Sequence, residues 1–142
     1  KEAMKNNLLY ITKIERCAAR HLRRAHIAGD TAIVRDPMPW RDMCLCGLAS
    51  MESETEEDEG VTTVSTTLTA RLRTDISLKD EPQIFRLTTA GGAKFLLGGT
   101  RQPYAAMAKA NYYPESTSET ASTGITITYT DRRGPLRLIE AR

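Results

Sequence analysis

An alternation of apolar and polar side chains over residues 61–73 is the feature that most constrains the fold of this chain. The apolar side chains Val64, Leu68, Ala70 and Leu72 fall on even positions, and polar side chains occupy the odd positions from Thr63 to Arg73. Successive side chains of a β-strand point to opposite faces, so a period of two predicts a strand with one buried face. Threonine occurs eighteen times in the chain, and its branched β-carbon favours the surface of a sheet.

The segment before this alternation predicts a partner strand. Its apolar residues Met43, Leu45, Ala49 and Met51 share one parity. An acidic stretch separates the two segments, and we therefore expect residues 42–73 to form one long antiparallel hairpin with its tip near residues 56–60. Each arm would have about ten residues, against a usual strand length of five or six.

Further turn signals predict a mostly β chain. The glycines Gly91 and Gly92 lie between residues 84–89 and 94–97, where they suit the tight turn of a second hairpin. Additional strands are expected over residues 104–113, 125–129 and 136–140. Six or seven strands in 142 residues indicate a single β-rich domain over 1–142, built as an antiparallel β-sandwich or small barrel.

The first thirty residues fit two interpretations. Apolar residues recur at helical spacing, at Leu8, Ile11, Ile14, Ala18, Leu22 and Ala25. Residues 9–14, in contrast, have the composition of a strand. We expect a strand over about 8–15 that passes into one short N-terminal helix, and a proline-containing loop around Trp40.

Charge and composition narrow the possible partners. Twenty Lys and Arg against eighteen Asp and Glu give a net charge of +2, which is unlike the strongly basic composition of a dedicated nucleic-acid binder. No apolar stretch is long enough for a membrane span, and Lys1 to Asn7 lead into no signal-peptide hydrophobic region. Three cysteines fit a reducing compartment. We therefore expect a cytoplasmic location and no membrane partner.

Catalytic and metal-binding patterns are sparse. The chain has two histidines and neither a G-x-S-x-G nor an H-E-x-x-H motif. Cys44 and Cys46 form a single C-x-C within a predicted strand, whereas structural zinc sites use pairs of C-x2-C type on turns. The sequence predicts no enzyme activity, no cofactor and no metal.

Two segments of opposite charge are the candidate interaction sites. The acidic one lies at the predicted hairpin tip and comprises Glu54, Glu56, Glu57, Asp58 and Glu59. The basic one lies near the N-terminus and comprises Arg16, Arg20, Arg23 and Arg24. In a helix, the first, second and fourth of these arginines would form one stripe able to follow phosphates or an acidic surface. Solvated side chains or internal ion pairs are the simpler interpretation. A third interpretation is that the acidic tip contacts the arginine segment of a neighbouring subunit.

The Thr-rich segments carry a resemblance to a known class. The stretch 62–72, the Gly91-Gly92 hairpin and the stretch 124–130 resemble the small β-rich structural proteins encoded in phage and prophage tail modules. In such proteins a sandwich or barrel core carries long hairpins that join neighbours into rings, with a helix beside the core. The resemblance implies a homo-oligomer or contacts with other structural subunits, and it adds a virion or phage-like particle as a possible location.

The leading hypothesis is therefore a non-enzymatic assembly protein that associates through strand edges and the hairpin tip. The alternative, which we do not favour, is a small β-domain that binds nucleic acid through the arginine segment. A third class, a carbohydrate- or peptide-binding sandwich, would use the aromatic residues Trp40, Tyr104, Tyr112 and Tyr113.

Overall fold

The computed structural model describes residues 5–22, 25–35, 37–73, 81–100, 102–112 and 122–140. Eleven strands and one 3-10 helix lie within these ranges. The strands are β1 (Lys5–Ala18), β2 (His26–Ala28), β3 (Thr31–Val34), β4 (Arg41–Asp42), β5 (Ala49–Asp58), β6 (Val61–Leu72), β7 (Gln83–Thr89), β8 (Lys94–Leu97), β9 (Ala106–Tyr112), β10 (Ser122–Asp131) and β11 (Leu136–Glu140), and the 3-10 helix is Ala19–Leu22. Within the described ranges, no helix is both long and apolar enough to cross a membrane.

The strands form one open sheet. Its order is β2-β3-β11-β8-β7-β1-β5-β6-β10-β9, and β4 pairs with β1 beside this path. The neighbours pair antiparallel, except β3 and β11, which are parallel. The predicted mostly β, antiparallel class is therefore confirmed, with a long hairpin and a single short helical turn after β1.

An irregularity in β1 explains why its sequence also resembles a helix. Ile11 pairs with Thr89 and Lys13 pairs with Thr88, so the strand carries one extra residue at this point. This residue, Thr12, is exposed. In a regular strand, side chains three positions apart point to opposite faces, but the extra residue restores the phase. Ile11 and Ile14 consequently both enter the same core, where both are fully buried.

The long hairpin is shorter at one end than we predicted. Its arms are β5 and β6, residues 49–72 instead of 42–73. Residues 41–42 pair with β1 as the separate strand β4. Left-handed backbone at Cys44 (φ 60°) and Gly47 (φ 75°) turns the chain between β4 and β5, which prevents one continuous arm. The predicted count of six or seven strands was too low, because β2, β3 and β4 are too short to show a clear alternation.

Two hydrophobic clusters pack on the sheet. The larger joins residues from distant strands, such as Leu97 of β8 and Tyr129 of β10, which four intervening strands separate in the sheet order. The sheet must therefore curve over this cluster, so that its facing layers belong to one continuous sheet. The smaller cluster, which includes Cys17, Ile84 and Leu138, lies beneath the 3-10 helix, whose Ala19 and Leu22 are buried in it.

Candidate functional site

The acidic tip is the end of the β5–β6 hairpin, which we define as Glu54, Glu56, Glu57, Asp58 and Glu59. All five side chains are exposed. The described part of β1 pairs with β5 only as far as Thr55, and β10 pairs with β6 only as far as Val64. The last pairs of the hairpin, from Glu56–Thr63 to Asp58–Val61, therefore extend beyond the described neighbouring strands.

The turn at the acidic tip has two consecutive residues in left-handed backbone. Glu59 has a φ of 51° and Gly60 a φ of 80°. Two positive φ angles are typical of a tight turn whose twist matches that of the two strands. The two strands therefore stay paired up to the turn, and the carboxylates of Glu56, Glu57 and Asp58 lie on this paired part of β5.

A second charged surface lies at the opposite end of the same strands. We call it the arginine end and define it as Arg16, Arg41, Arg71 and Arg73. Register places Arg16 of β1 opposite Arg41 of β4. The chain then crosses to the end of β6. There the amide of Cys46 donates to the carbonyl oxygen of Arg71 at 2.8 Å, and the amide of Arg73 donates to the carbonyl oxygen of Cys44 at 2.9 Å. Because Ile14, Met43 and Leu72 all enter the larger core, strand alternation places Arg16 and Arg41 on the core-facing side of the sheet and Arg71 and Arg73 on its other side.

The arginine end concentrates like charge. Arg41, Arg71 and Arg73 are exposed, whereas Arg16 is half-buried. Burial lowers the pKa of Arg16, and the positive charge of Arg41 lowers it further. Both effects disfavour the charged guanidinium.

The arginine stripe required a helix, and the structure places Arg16 in a strand instead. Arg16 lies in β1, which continues to Ala18, so the residues before the 3-10 helix have no helical spacing. Arg20 lies in the 3-10 helix and forms an ion pair with Glu81, in agreement with the internal ion pairs considered from the sequence. Arg23 and Arg24 lie outside the described residues.

The acidic tip and the arginine end are far apart. Val61 and Arg73 are separated by the length of β6, and a strand rises about 3.3 Å per residue, so the two ends are about 40 Å apart. At physiological ionic strength the Debye length is about 8 Å. The two surfaces therefore hardly attract each other within one molecule.

The cysteines do not form the arrangement expected from their spacing. Cys44 and Cys46 are exposed in the irregular segment between β4 and β5, whereas we predicted them on one face of a strand. Cys17 is buried, and burial raises the pKa of its thiol to about 11. Within the described part of the chain, no three His, Cys, Asp or Glu side chains are grouped so as to hold a metal ion.

A cleft that we did not predict lies between the end of β8 and the turn after β10. It has a volume of about 490 Å³, with Leu96 and Leu136 among its apolar lining residues and Arg132 and Arg133 among its charged ones. Beside them, the hydroxyl of Tyr129 donates to the Asp131 carboxylate at 3.1 Å. Burial, aided by the Asp131 charge, raises the pKa of Tyr129 to about 12. The sequence shows these segments only as turns.

A second feature absent from the predictions is an ion cluster around Arg86. Its Nε donates to Glu15 Oε1 at 2.8 Å, and its Nη1 donates to Glu140 Oε1 at 2.7 Å. The guanidinium also lies 5.0 Å from the centre of the Trp40 ring. Trp40 thus packs within the molecule, as expected for an ordered loop. The side chain of Tyr112 and the whole of Tyr113 lie outside the described residues.

Comparisons with family models, with curated proteins and with solved structures found no match to this chain. Fold relatives therefore offer no guide to function.

Proposed function

We propose that this chain is a non-enzymatic structural protein that acts by self-association, or by contact with other structural subunits, and that the acidic tip lies in the interface. One observation carries the proposal: the hairpin extends past its described neighbours with all five carboxylates exposed. No side chain of the pairs from Glu56–Thr63 to Asp58–Val61 is buried, so this part of the hairpin adds nothing to the core.

The open edges of the sheet support the same proposal. Among the described residues, β2 and β9 are the two end strands of the sheet. An end strand has unpaired backbone groups on one side, which can pair with another chain. On β9 the exposed residues Ala106 and Ala108 are small and uncharged, so they offer little hindrance to a neighbouring strand.

The resemblance to phage and prophage tail proteins suggests the setting, a phage-like particle or the cytoplasm in which it assembles. Tube subunits of that class have a helix beside the core, whereas the described residues contain only the 3-10 turn Ala19–Leu22. We therefore propose an assembly role without assigning it to the tube. The nucleic-acid alternative has less support, because Arg20 is paired with Glu81.

The test is the triple charge reversal Glu56→Lys, Glu57→Lys and Asp58→Lys, referred to as the tip variant. We expect it to lower the oligomer mass measured by size-exclusion chromatography with light scattering, at low and at high salt. Exposed substitutions of this kind usually change stability by about 0.5 kcal/mol or less, so circular dichroism should remain that of the wild type.

The matched control exchanges the same residues without changing charge, as Glu56→Asp, Glu57→Asp and Asp58→Glu. It should keep the wild-type mass. A tip variant with the mass of the wild-type oligomer would remove the acidic tip from the interface. A wild-type protein that is monomeric at every concentration and salt would contradict self-association and leave contact with other structural subunits as the proposed role.

A further inference from the structure

We propose that the cleft between the end of β8 and the turn after β10 binds a small amphipathic carboxylate, a molecule with an apolar body and one carboxylate group. This inference goes beyond the proposed function and does not depend on self-association. The volume of the cleft is about 490 Å³, within the range of about 300–1,000 Å³ that is typical of small-molecule sites. Its lining combines apolar side chains with two arginines, and each part matches one part of such a ligand.

The apolar lining belongs to the smaller hydrophobic cluster. Leu22 and Leu96 are buried members of this cluster, and Leu136 packs against it. Ile27 of β2 lines the same cleft, although its side chain is 44% exposed. Covering exposed apolar surface is favourable because it removes that surface from water. The apolar body of a ligand would extend the cluster outward over Ile27.

The cationic lining consists of Arg132 and Arg133, which are both exposed. Consecutive residues of a strand point to opposite faces, but these two lie in the bend after β10, where both side chains line one cleft. In the part of the chain that the structure describes, neither guanidinium has an ion pair. Both are therefore available to a bound anion.

Asp131 is the one acidic residue of the described lining, and its oxygens are held by neutral donors. Its Oδ2 accepts from the hydroxyl of Tyr129 at 3.1 Å, and its Oδ1 accepts from the backbone amide of Arg132 at 2.7 Å. Two arginines beside one aspartate leave an excess positive charge in the cleft. A single carboxylate balances this charge, and a guanidinium binds it through two parallel hydrogen bonds.

The walls of the cleft are fixed by close backbone packing. A β-carbon added at Gly99 would lie 3.1 Å from the hydroxyl oxygen of Tyr129, and one added at Gly134 would lie 3.2 Å from Val64 Cγ1. Both wall segments thus pack directly against neighbouring strands. The cleft is present before a ligand binds, so binding costs little ordering of the chain.

The experiment is isothermal titration calorimetry of the full chain with three probes, hexanoate, octanoate and octan-1-ol. Octanoate should bind, and each methylene group added between hexanoate and octanoate should raise the affinity by up to about fourfold. Octan-1-ol has the same apolar body without the charge. It should bind about tenfold more weakly than octanoate, because it forms no ion pair with the two arginines.

The cleft-arginine variant carries Arg132→Gln and Arg133→Gln. It should bind octanoate about tenfold more weakly than the wild type does, with its affinity for octan-1-ol unchanged. The matched control carries Arg35→Gln and Arg137→Gln, which remove two exposed arginines outside the cleft lining. This control should keep the wild-type affinity for both probes.

A second pair of variants tests the apolar lining. Ile27→Asp places a negative charge where the apolar body would lie, so octanoate binding should weaken. Ile139→Asp is the matched control, because Ile139 is 49% exposed and lies outside the lining. Circular dichroism establishes that each variant is folded. If Ile27→Asp is unfolded, Ile27→Ala replaces it, and a smaller loss of affinity is expected.

Several outcomes would overturn the inference. One is a folded wild-type protein that does not bind octanoate at millimolar concentration. Equal affinity for octanoate and octan-1-ol would show that the arginines do not recognise the carboxylate. An equal loss of affinity in the cleft-arginine variant and its control would indicate general charge attraction. None of these results bears on the proposed function, which the oligomer mass of the tip variant tests separately.

Discussion

Replacement of Arg86 by methionine should destabilise the fold strongly, because this side chain neutralises a nearly buried carboxylate. The side chain of Arg86 is 15% exposed and that of Glu15 is 9% exposed. Two bonds join them, from Nε to Oε1 at 2.8 Å and from Nη2 to Oε2 at 2.5 Å. Methionine fills a similar volume without a charge, so the variant would leave Glu15 buried without its main partner.

The expected loss is about 3 kcal/mol in the free energy of unfolding. Removal of one member of a buried ion pair costs about 3–5 kcal/mol. We take the lower end because Glu140 is 30% exposed, and because the ammonium of Lys13 lies 4.0 Å from Glu15 Oε2. A loss of this size is a large part of the 5–15 kcal/mol that typical domains have.

Urea unfolding followed by fluorescence is a direct assay, since Trp40 is the only tryptophan of the chain and lies against Arg86. The exposed Arg137→Met serves as the matched control and should change stability by about 0.5 kcal/mol or less. Addition of Glu15→Gln to Arg86→Met should cost less than the sum of the two single changes, as for partners in one network. A loss below about 1 kcal/mol for Arg86→Met would refute the proposed role of the cluster.

Two further predictions concern the neighbourhood of the cleft. Gly98 has a φ of +107°, and an added β-carbon would lie 3.3 Å from the carbonyl oxygen of Gln83, so Gly98→Ala should lower the urea midpoint by the equivalent of about 1–3 kcal/mol. Gly91→Ala, whose β-carbon would meet only Thr89 Oγ1 at 3.9 Å, should not; equal effects would contradict the steric reasoning. The pKa of Tyr129 is raised to about 12, against about 10 in an unfolded chain. The folded state therefore retains the phenolic proton longer, and stability should be unaffected by this group below about pH 10 and fall as the pH rises from about 10 to 12. Unfolding measured across this range in Tyr129→Phe should show a smaller fall, and an identical slope would contradict the assignment.

The sequence predicted the strands whose pattern is local and regular. Alternation along β6 and the glycine pair between β7 and β8 each act within a few residues, and both hairpins are present. The strand order was not predictable in the same way, because it depends on pairing between distant segments. The bulge in β1 is an example: only its pairing with β7 shows why Ile11 and Ile14 share a face.

The charged residues also differ in whether their position depends on local sequence or on contacts between distant segments. The acidic tip was predictable because its charges are consecutive and surround a turn. The position of Arg73 was not, because the bond between its amide and Cys44 depends on the segment that crosses from β4 to the end of β6. The arginines consecutive in sequence, near Arg20, suggested a helical stripe that β1 does not form.

The parallel pairing of β3 with β11 determines how this chain must fold. Thr31 pairs with Arg137, so the ladder joins positions roughly a hundred residues apart. Closing so long a loop costs the chain conformational entropy, and local contacts alone do not offset this cost. Chains dominated by such distant pairings fold in milliseconds to seconds, more slowly than those with local contacts. We therefore expect the β2–β3–β11 margin to form after the central strands, as a late event in folding.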